Sequence, residues 1–276
     1  MARKIIDLSL TVEDNMPAHK LFQSPVYVPA LTHDTTKSFN LGVEGDPMTF
    51  QTNYIGMLDH VGTHVDAFRH VNPKGQPINE MPLDLFMGKA VTFDLTHIKD
   101  LEEINDKDMD EAEKKSGVKV DGHIVLLCTG FHKRNYADRK QIVWGNPQVT
   151  VSASQWLYDR GSRMHGVEGP STDAPTNNDF AQHRFCRDKG ITHFEWLVNL
   201  EETIEFKISS ETKLPAAIIF FNSIAKLSFS NNFFLNISPV ERCDTFKYSD
   251  IILACVPFPA PGGPKKIMLL NLSSAF

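Results

Sequence analysis

The stretch His60-Val-Gly-Thr-His64-Val-Asp66-Ala-Phe-Arg-His70 places three histidines and one aspartate within a single short segment. Imidazole nitrogens and carboxylate oxygens are ligands that Zn²⁺ and Mn²⁺ accept, at about 2.0–2.2 Å for zinc. An isolated histidine is usually a structural core residue or a solvated surface residue. Four ligand-type residues together instead indicate a metal site.

Geometry restricts the backbone of this segment. A continuous helix would bring His60 and His64 onto one face but turn Asp66 away, whereas a continuous strand would spread His60 and Asp66 over about 20 Å. Gly62 permits a turn that returns His64 toward His60, and its missing side chain would leave room for a metal or substrate. We therefore predict an irregular loop that enters a short turn.

The flanking patterns predict a mixed α/β fold in one domain spanning residues 1–276. Apolar runs rich in β-branched or aromatic residues predict strands over residues 5–10, 90–95, 123–128, 164–167, 191–196 and 267–271. Helices are predicted over residues 106–116, 152–160 and 178–189, each followed at once by a glycine that can end it.

Composition narrows the classes of partner. The 276 residues carry a formal net charge of -6, and Lys and Arg are scattered, which argues against a nucleic-acid partner and favours a small neutral or anionic metabolite. The first thirty residues contain several charges, and no apolar run approaches the roughly 20 residues of a membrane helix. Four cysteines without C-x-x-C spacing favour a reducing compartment. We expect a cytoplasmic protein without a membrane partner.

Residues 60–70 resemble the H-x-G-T-H-x-D-x-x-x-H signature of the cyclase family of metal-dependent hydrolases, which includes bacterial kynurenine formamidase and isatin hydrolase. Ile6-Asp7-Leu8-Ser9 resembles the opening strand of that family, and residues 166–173 resemble its later G-x-x-x-x-S-x-D loop. The resemblance covers about residues 4–202. It implies a swivelling β/β/α domain that forms a homodimer or a higher homo-oligomer.

The resemblance also implies the metal ligands. The first two histidines and the aspartate of the signature become His60, His64 and Asp66. A second position uses a helical histidine and a glutamate twelve residues later, a spacing that His183 and Glu195 repeat. Together these residues would hold Zn²⁺ or Mn²⁺, as one ion or two. The alternative for the second pair is an ordinary surface histidine and glutamate.

Two further histidines have different expected roles. His193 shares a strand face with Glu195 but matches no ligand of the family, so we expect it to pack or support the site. His70 occupies the position of the family's catalytic histidine, and an imidazole with a pKa near 6.5 can accept and return a proton near neutrality. The resemblance implies that the metal activates water and polarises the substrate carbonyl while His70 passes a proton to the leaving nitrogen.

These features predict a hydrolase that cleaves a carbon–nitrogen bond of a small cyclic amide or an N-formyl aromatic amine, as in tryptophan and kynurenine metabolism. A metal-dependent lactone hydrolase is one alternative. A non-catalytic metabolite-binding protein is another, although the complete set of ligand-type residues argues against it.

The sequence departs from the family pattern in two places. Formamidases and isatin hydrolases often carry a proline two residues before the last histidine of the signature, where this chain has Phe68. The neighbouring Arg69 either pairs with a substrate carboxylate or forms an exposed salt bridge. Residues from about 203 to 248 resemble an insertion, either a retained non-coding segment or an element that forms an oligomer contact.

Overall fold

The computed structural model describes residues 6–204 and the backbone of residues 213 and 214. The strands are β1 (Val26–Leu31), β2 (Leu41–Val43), β3 (Asp46–Met48), β4 (Thr52–Gly56), β5 (His64–Val65), β6 (Gly88–Asp94), β7 (Glu103–Ile104), β8 (Ile124–Cys128), β9 (Gln148–Val149), β10 (Met164–Gly166), β11 (Thr192–Glu195) and β12 (Lys213–Leu214). The helices are α1 (His33–Thr36), α2 (Phe68–Val71), α3 (Asp106–Ser116), α4 (Phe131–Asn135), α5 (Gln141–Trp144), α6 (Val151–Asp159), α7 (Ala181–Lys189) and α8 (Glu201–Ile204). None of these helices is long and apolar enough to cross a membrane. The fold is mixed α/β, as predicted.

A six-stranded sheet in the order β12-β6-β8-β10-β11-β5 organises the fold. The four inner strands are parallel, and β12 and β5 pair antiparallel at the two edges. All five residues of β8, Ile-Val-Leu-Leu-Cys, are buried. This matches the continuous apolar pattern of a parallel strand that is covered on both faces.

The two faces of the sheet build separate cores. On the first, which we call the helix face, Phe93, Val125 and Leu127 pack with residues of α3 and α6 such as Met109 and Leu157. On the other, which we call the opposite face, alternate residues of the same strands pack together. These include Ala90, Ile124, Leu126, Cys128 and Phe194.

Local signals account for the elements that were predicted well. Helix α3 has the predicted bounds because Asn105 and Asp108 form a reciprocal capping box at its start, and Gly117 ends it with a φ of 69°. The four predicted inner strands are present as β6, β8, β10 and β11. Helix α6 begins one residue earlier than predicted, because Thr150 caps it by accepting a hydrogen bond from the Ala153 amide.

The predicted opening strand is wrong over its described residues, 6–10. Only Ser9 forms a β-bridge, with Leu197. The ladder does not continue because the Leu10 amide donates to the Thr63 hydroxyl, at 2.7 Å, instead of to a neighbouring strand. The predicted strand at residues 267–271 lies outside the described residues, as does most of the predicted insertion at about 203–248.

Residues 26–56 form a separate layer that we call the β1–β4 arm. Strands β1 and β4 pair antiparallel, and β2 and β3 form a hairpin between them. Large apolar side chains of this arm are exposed, among them Val26 at 52%, Val28 at 48% and Tyr54 at 65%. The arm therefore presents apolar surface that the described residues of this chain do not cover.

Candidate metal centre

The pairing of β5 with β11 positions much of the candidate site. His64 lies directly opposite Glu195 in the register of the two strands, and the Asp66 amide donates to the His193 carbonyl at 3.2 Å. Because side chains two residues apart on a strand share a face, His193 and Glu195 project together toward His64 and Asp66. Two segments that are distant in sequence therefore supply four adjacent ligand-type side chains.

The turn before β5 brings in His60. Gly62 has a φ of +74°, a region that glycine adopts readily, so the predicted turn is present. The expectation that Gly62 leaves room for a metal is wrong. A Cβ atom at this position would instead face the side chains of Val12 and Met16, at 3.6 and 3.7 Å.

His183 reaches the same point from α7. The Asp173 carboxylate accepts hydrogen bonds from the backbone amides of Gln182 and His183, at 2.9 and 3.1 Å, and also binds Nδ1 of His183. These contacts fix the first turn of the helix and the imidazole ring together. The G-x-x-x-x-S-x-D loop thus contributes the residue that aims His183.

The predicted ligands fall into two groups that share Asp66, and we call the two groups together the histidine cluster: His60, His64, Asp66, His183, His193 and Glu195. Asp66 lies at its centre. Its Oδ1 is 3.3 Å from Nε2 of His60 and 3.4 Å from Nε2 of His64. Its Oδ2 is 3.7 Å from Nε2 of His183 and 3.3 Å from Nε2 of His193.

His193 lies among the predicted ligands, and its expected role in packing or supporting the site stays a prediction. Its Nε2 lies 3.3 Å from Asp66 Oδ2 and 3.3 Å from Glu195 Oε1, and its side chain is 2% exposed. The sequence signal that could have found it was the two-residue spacing from Glu195 on one predicted strand. That spacing has no counterpart among the ligands that the family resemblance implies.

Three of these imidazoles are oriented by acceptors on their outer nitrogen. Nδ1 of His60 contacts the Asp59 carboxylate at 2.7 Å, and Nδ1 of His64 contacts the Gly62 carbonyl oxygen at 2.9 Å. Nδ1 of His183 contacts the Asp173 carboxylate. A carbonyl or carboxylate can only accept, so each Nδ1 carries a hydrogen, and each Nε2 faces inward, where it offers a lone pair when it is unprotonated. This is the arrangement that metal-binding histidines adopt.

The inner atoms lack hydrogen-bond partners. Among the described residues, no hydrogen bond satisfies His60 Nε2, His64 Nε2, Asp66 Oδ1, His193 Nε2 or Glu195 Oε1, although all are buried. Leaving buried polar atoms unpaired is costly. Their separations also match the roughly 3.4 Å expected between two ligand atoms held tetrahedrally at about 2.1 Å from one ion. The residues therefore fit a divalent metal.

The charges of the cluster are strongly coupled. Burial disfavours the protonated form of His60, but contacts with Asp59 and Asp66 outweigh it and raise its pKa to about 10. Burial similarly opposes protonation of His183, and Asp173 and Asp66 outweigh it to give a pKa of about 9. Burial opposes ionisation of Asp66, yet the surrounding histidines hold its pKa well below the usual value. The electrostatic environment of the cluster thus favours positive charge, and a bound cation would supply it.

His70 lies beside the cluster rather than within it. Its ring stacks on His60 with a centroid separation of 4.0 Å, and its Nε2 is 3.9 Å from Asp66 Oδ2. The side chain is 30% exposed, and burial lowers its pKa. An imidazole in this position is neutral near pH 7 and open to an incoming molecule. Its predicted role in proton transfer stays a prediction.

Arg69 makes no ion pair with any described residue, so the exposed salt bridge expected as its alternative role is not formed there. Its Nε donates to the Gly75 carbonyl at 3.1 Å. Phe68 packs against the core of the opposite face. The Arg69 contact therefore joins α2 to the loop that follows it.

Comparisons with known proteins point in the same direction. A family model described as "Putative cyclase" matches residues 6–174. An uncharacterised protein of Haemophilus influenzae is 32% identical over 111 residues, which cover 40% of this chain and 75% of the relative. A kynurenine formamidase of Salinibacter ruber is 30% identical over 155 residues, which cover 55% of this chain and 68% of the relative.

Solved structures share the fold. Isatin hydrolase A from Labrenzia aggregata, bound to benzyl benzoate, aligns with a TM-score of 0.61 at 22% identity, covering 77% of this chain and 91% of that chain. An isatin hydrolase bound to the product analogue thioisatinate aligns with a TM-score of 0.62 at 17% identity, covering 76% and 88%. At these identities the alignments establish the fold alone.

Proposed function

We propose that this chain, which belongs to the cyclase family, is a metal-dependent hydrolase that cleaves a carbon–nitrogen bond of a small cyclic amide or an N-formyl aromatic amine. The observation that carries the proposal is the histidine cluster, in which buried nitrogens and carboxylate oxygens converge without hydrogen-bond partners among the described residues. The similarity to kynurenine formamidases supports the class of substrate.

The proposed ligands are His60, His64, Asp66, His183 and Glu195, and the structure adds His193 as a candidate. A bound Zn²⁺ or Mn²⁺ supplies Lewis acidity that polarises a carbonyl and activates water. Asp66 turns one oxygen toward His60 and His64 and the other toward His183 and His193. These residues would hold one ion or two, and Asp66 belongs to both groups of ligand-type side chains.

The proposed role of His70 is proton transfer at Nε2. The His70 ring packs against that of His60, with centroids 4.0 Å apart, and its side chain is 30% exposed, which supports access by a substrate. In the neutral form this nitrogen accepts a proton from the attacking water and returns it to the leaving nitrogen. The amide bond breaks without a covalent intermediate on the protein.

Metal analysis combined with a substrate screen tests the proposal. We expect the purified full chain to retain Zn or Mn, or to gain either on incubation, and to hydrolyse N-formylkynurenine or isatin faster than a chelated sample. If the protein hydrolyses simple lactones but neither amide, the bond that it cleaves is a lactone ester bond and not the proposed carbon–nitrogen bond. A protein that neither retains nor gains a metal is not the proposed hydrolase.

We further propose that the chain forms a homodimer or a higher homo-oligomer. The exposed apolar side chains of the β1–β4 arm, including Val28 and Tyr54, support this because such surface usually marks a contact region. Light scattering on the eluted protein should give a mass at least twice that of one chain. Tyr54→Lys should reduce that mass, and a monomeric mass for the unmodified protein would refute the proposal.

A further inference from the structure

A second group of ligand-type side chains lies away from the histidine cluster. Cys128, Glu168 and Glu201 each offer one ligand atom, and these atoms all lie within 4.8 Å of one another. We call this group the thiol–carboxylate cluster. Cys128 ends β8 and projects from the opposite face of the sheet, Glu168 follows β10, and Glu201 begins α8.

Glu168 is the residue that indicates a missing partner. Its side chain is almost completely buried, at 2% exposure. One oxygen, Oε2, accepts hydrogen bonds from the Thr129 amide at 2.7 Å, the Thr129 hydroxyl at 2.8 Å and the Phe131 amide at 3.2 Å. The other, Oε1, is buried and has no hydrogen-bond partner among the described residues. The carboxylate is thus rigidly held with one oxygen unused.

All three members of the cluster are acids. Within the described part of the chain, no lysine, arginine or histidine forms an ion pair with Glu168 or Glu201. Burial raises the pKa of Glu168, and the charge of Glu201 raises it further. Burial also raises the pKa of the Cys128 thiol, with added contributions from Glu168 and Glu201. The same negative field that disfavours these ionised forms attracts a cation.

A histidine near the thiol–carboxylate cluster offers one further ligand-type nitrogen atom. His132 of α4 has a buried Nε2 without a hydrogen-bond partner among the described residues. Burial lowers the pKa of His132, and Glu201 is near enough to oppose that shift. Glu201 is only partly buried.

We propose that Cys128, Glu168 and Glu201 bind a divalent cation of the Zn²⁺ class, at a site separate from the histidine cluster. A thiolate and carboxylates are ligands that Zn²⁺ accepts, and the thiolate favours it over Mg²⁺ or Ca²⁺. Binding converts the Cys128 thiol to a thiolate and releases its proton to solvent. The site lies on the other face of the sheet and stabilises the junction of β8, β10 and α8.

Cobalt substitution of the full chain tests this site without relying on activity. Co²⁺ bound to a thiolate gives a charge-transfer absorption band in the near ultraviolet, and the proposed ligands of the histidine cluster include no cysteine. We expect the Co²⁺-loaded wild type to show the band. Glu168→Gln should lose the band and bind one Co²⁺ fewer per chain while Cys128 remains in place.

Two cysteine variants show which thiolate gives rise to the absorption band. Cys128→Ser should lose it, whereas Cys186→Ser should keep it, because Cys186 is the other buried free cysteine of the described residues. Absence of the band from the Co²⁺-loaded wild type overturns the proposal. Persistence of the band in Cys128→Ser, or an unchanged band and Co²⁺ content in Glu168→Gln, also overturns it.

Discussion

The two faces of the central sheet each hold a group of acids, and they differ in what surrounds those acids. On the helix face, Asp66 and Glu195 lie among histidines that can carry protons when no metal is bound. On the opposite face, Glu168 and Glu201 lie beside a thiol, which adds another acid. Buried carboxylates must be compensated in both places. Histidines provide that compensation reversibly, whereas an all-acid group needs its own protons or a cation.

The largest expected effect concerns Asp66, which contacts both halves of the histidine cluster. Asp66→Asn removes the central charge, so it should lower metal affinity by more than about a hundredfold, beyond the scale for losing only an orienting partner. Turnover should fall with it. Calorimetric metal titration and turnover assays should show a smaller loss for Glu195→Gln. Wild-type metal content and turnover in Asp66→Asn would contradict the ligand assignment.

His70 should separate catalysis from metal binding. His70 lies beside the histidine cluster, with its Nε2 3.9 Å from Asp66 Oδ2, and is not among the proposed ligands. His70→Ala should therefore keep its metal while turnover falls about a hundredfold or more, the scale for a lost acid–base group. Metal analysis and turnover should be measured on the same preparation. Loss of the ion in this variant would make His70 a ligand.

The outer acceptors of the histidine cluster should have intermediate effects. Asp173→Asn weakens the contact that aims His183 and should lower metal affinity by about 10–100-fold. Asp59→Asn is the matched control, because Asp59 also contacts a ligand imidazole but is 73% exposed. Metal titration should show the larger loss for Asp173→Asn. The reverse order would mean that burial of the acceptor does not matter.

The smallest effect concerns Asp94, the neighbour of Cys128 in the sheet register. Burial opposes its ionisation, but a 2.6 Å contact with Lys115 and hydrogen bonds from Thr96 lower its pKa from 3.8 to about 2. Because the folded-state pKa is lowered, this stability is present above pH 3.8 and is lost as the pH falls through about 2.

Asp94→Asn should therefore lower the free energy of unfolding by about 1 kcal/mol or less near neutral pH, a value reduced by solvent screening. Urea denaturation at about pH 6 and about pH 3 should show the difference shrinking at the lower pH. Asp34→Asn is the control, since Asp34 contacts Lys37 at 2.8 Å in a fully exposed pair. A difference that grows on acidification would contradict this sign.

The sequence predicted most accurately those elements that local chemistry controls. The capping box of α3 and the apolar run of β8 are short-range signals, and both elements lie where expected. The start of α7 was predicted too early because Phe180 has a φ of 50°, which interrupts the helix, and the amides of Gln182 and His183 donate to Asp173 outside the helix. The predicted strand around Ser9 is absent for a similar reason, because the next amide, that of Leu10, donates to the distant Thr63 hydroxyl.

The candidate site shows the same limit. The compact signature around His64 was visible because its ligand-type residues are neighbours in sequence. The inclusion of His193 depends on β5 pairing antiparallel with β11 in a particular register, and that long-range pairing has no local code. His193 is thus a residue whose place beside the ligands only the tertiary fold defines.

The β5–β11 junction also determines when a metal site can exist. The Thr63 hydroxyl donates to the Trp196 carbonyl across 133 residues of sequence, and the Thr192 hydroxyl donates to the Asp66 carbonyl across 126. Contacts between residues so far apart in sequence form slowly, because the chain between the two residues must first close into a loop. The histidine cluster therefore assembles only after residue 195 has joined the sheet. Metal uptake during refolding should mark the end of folding, well after α3 has formed.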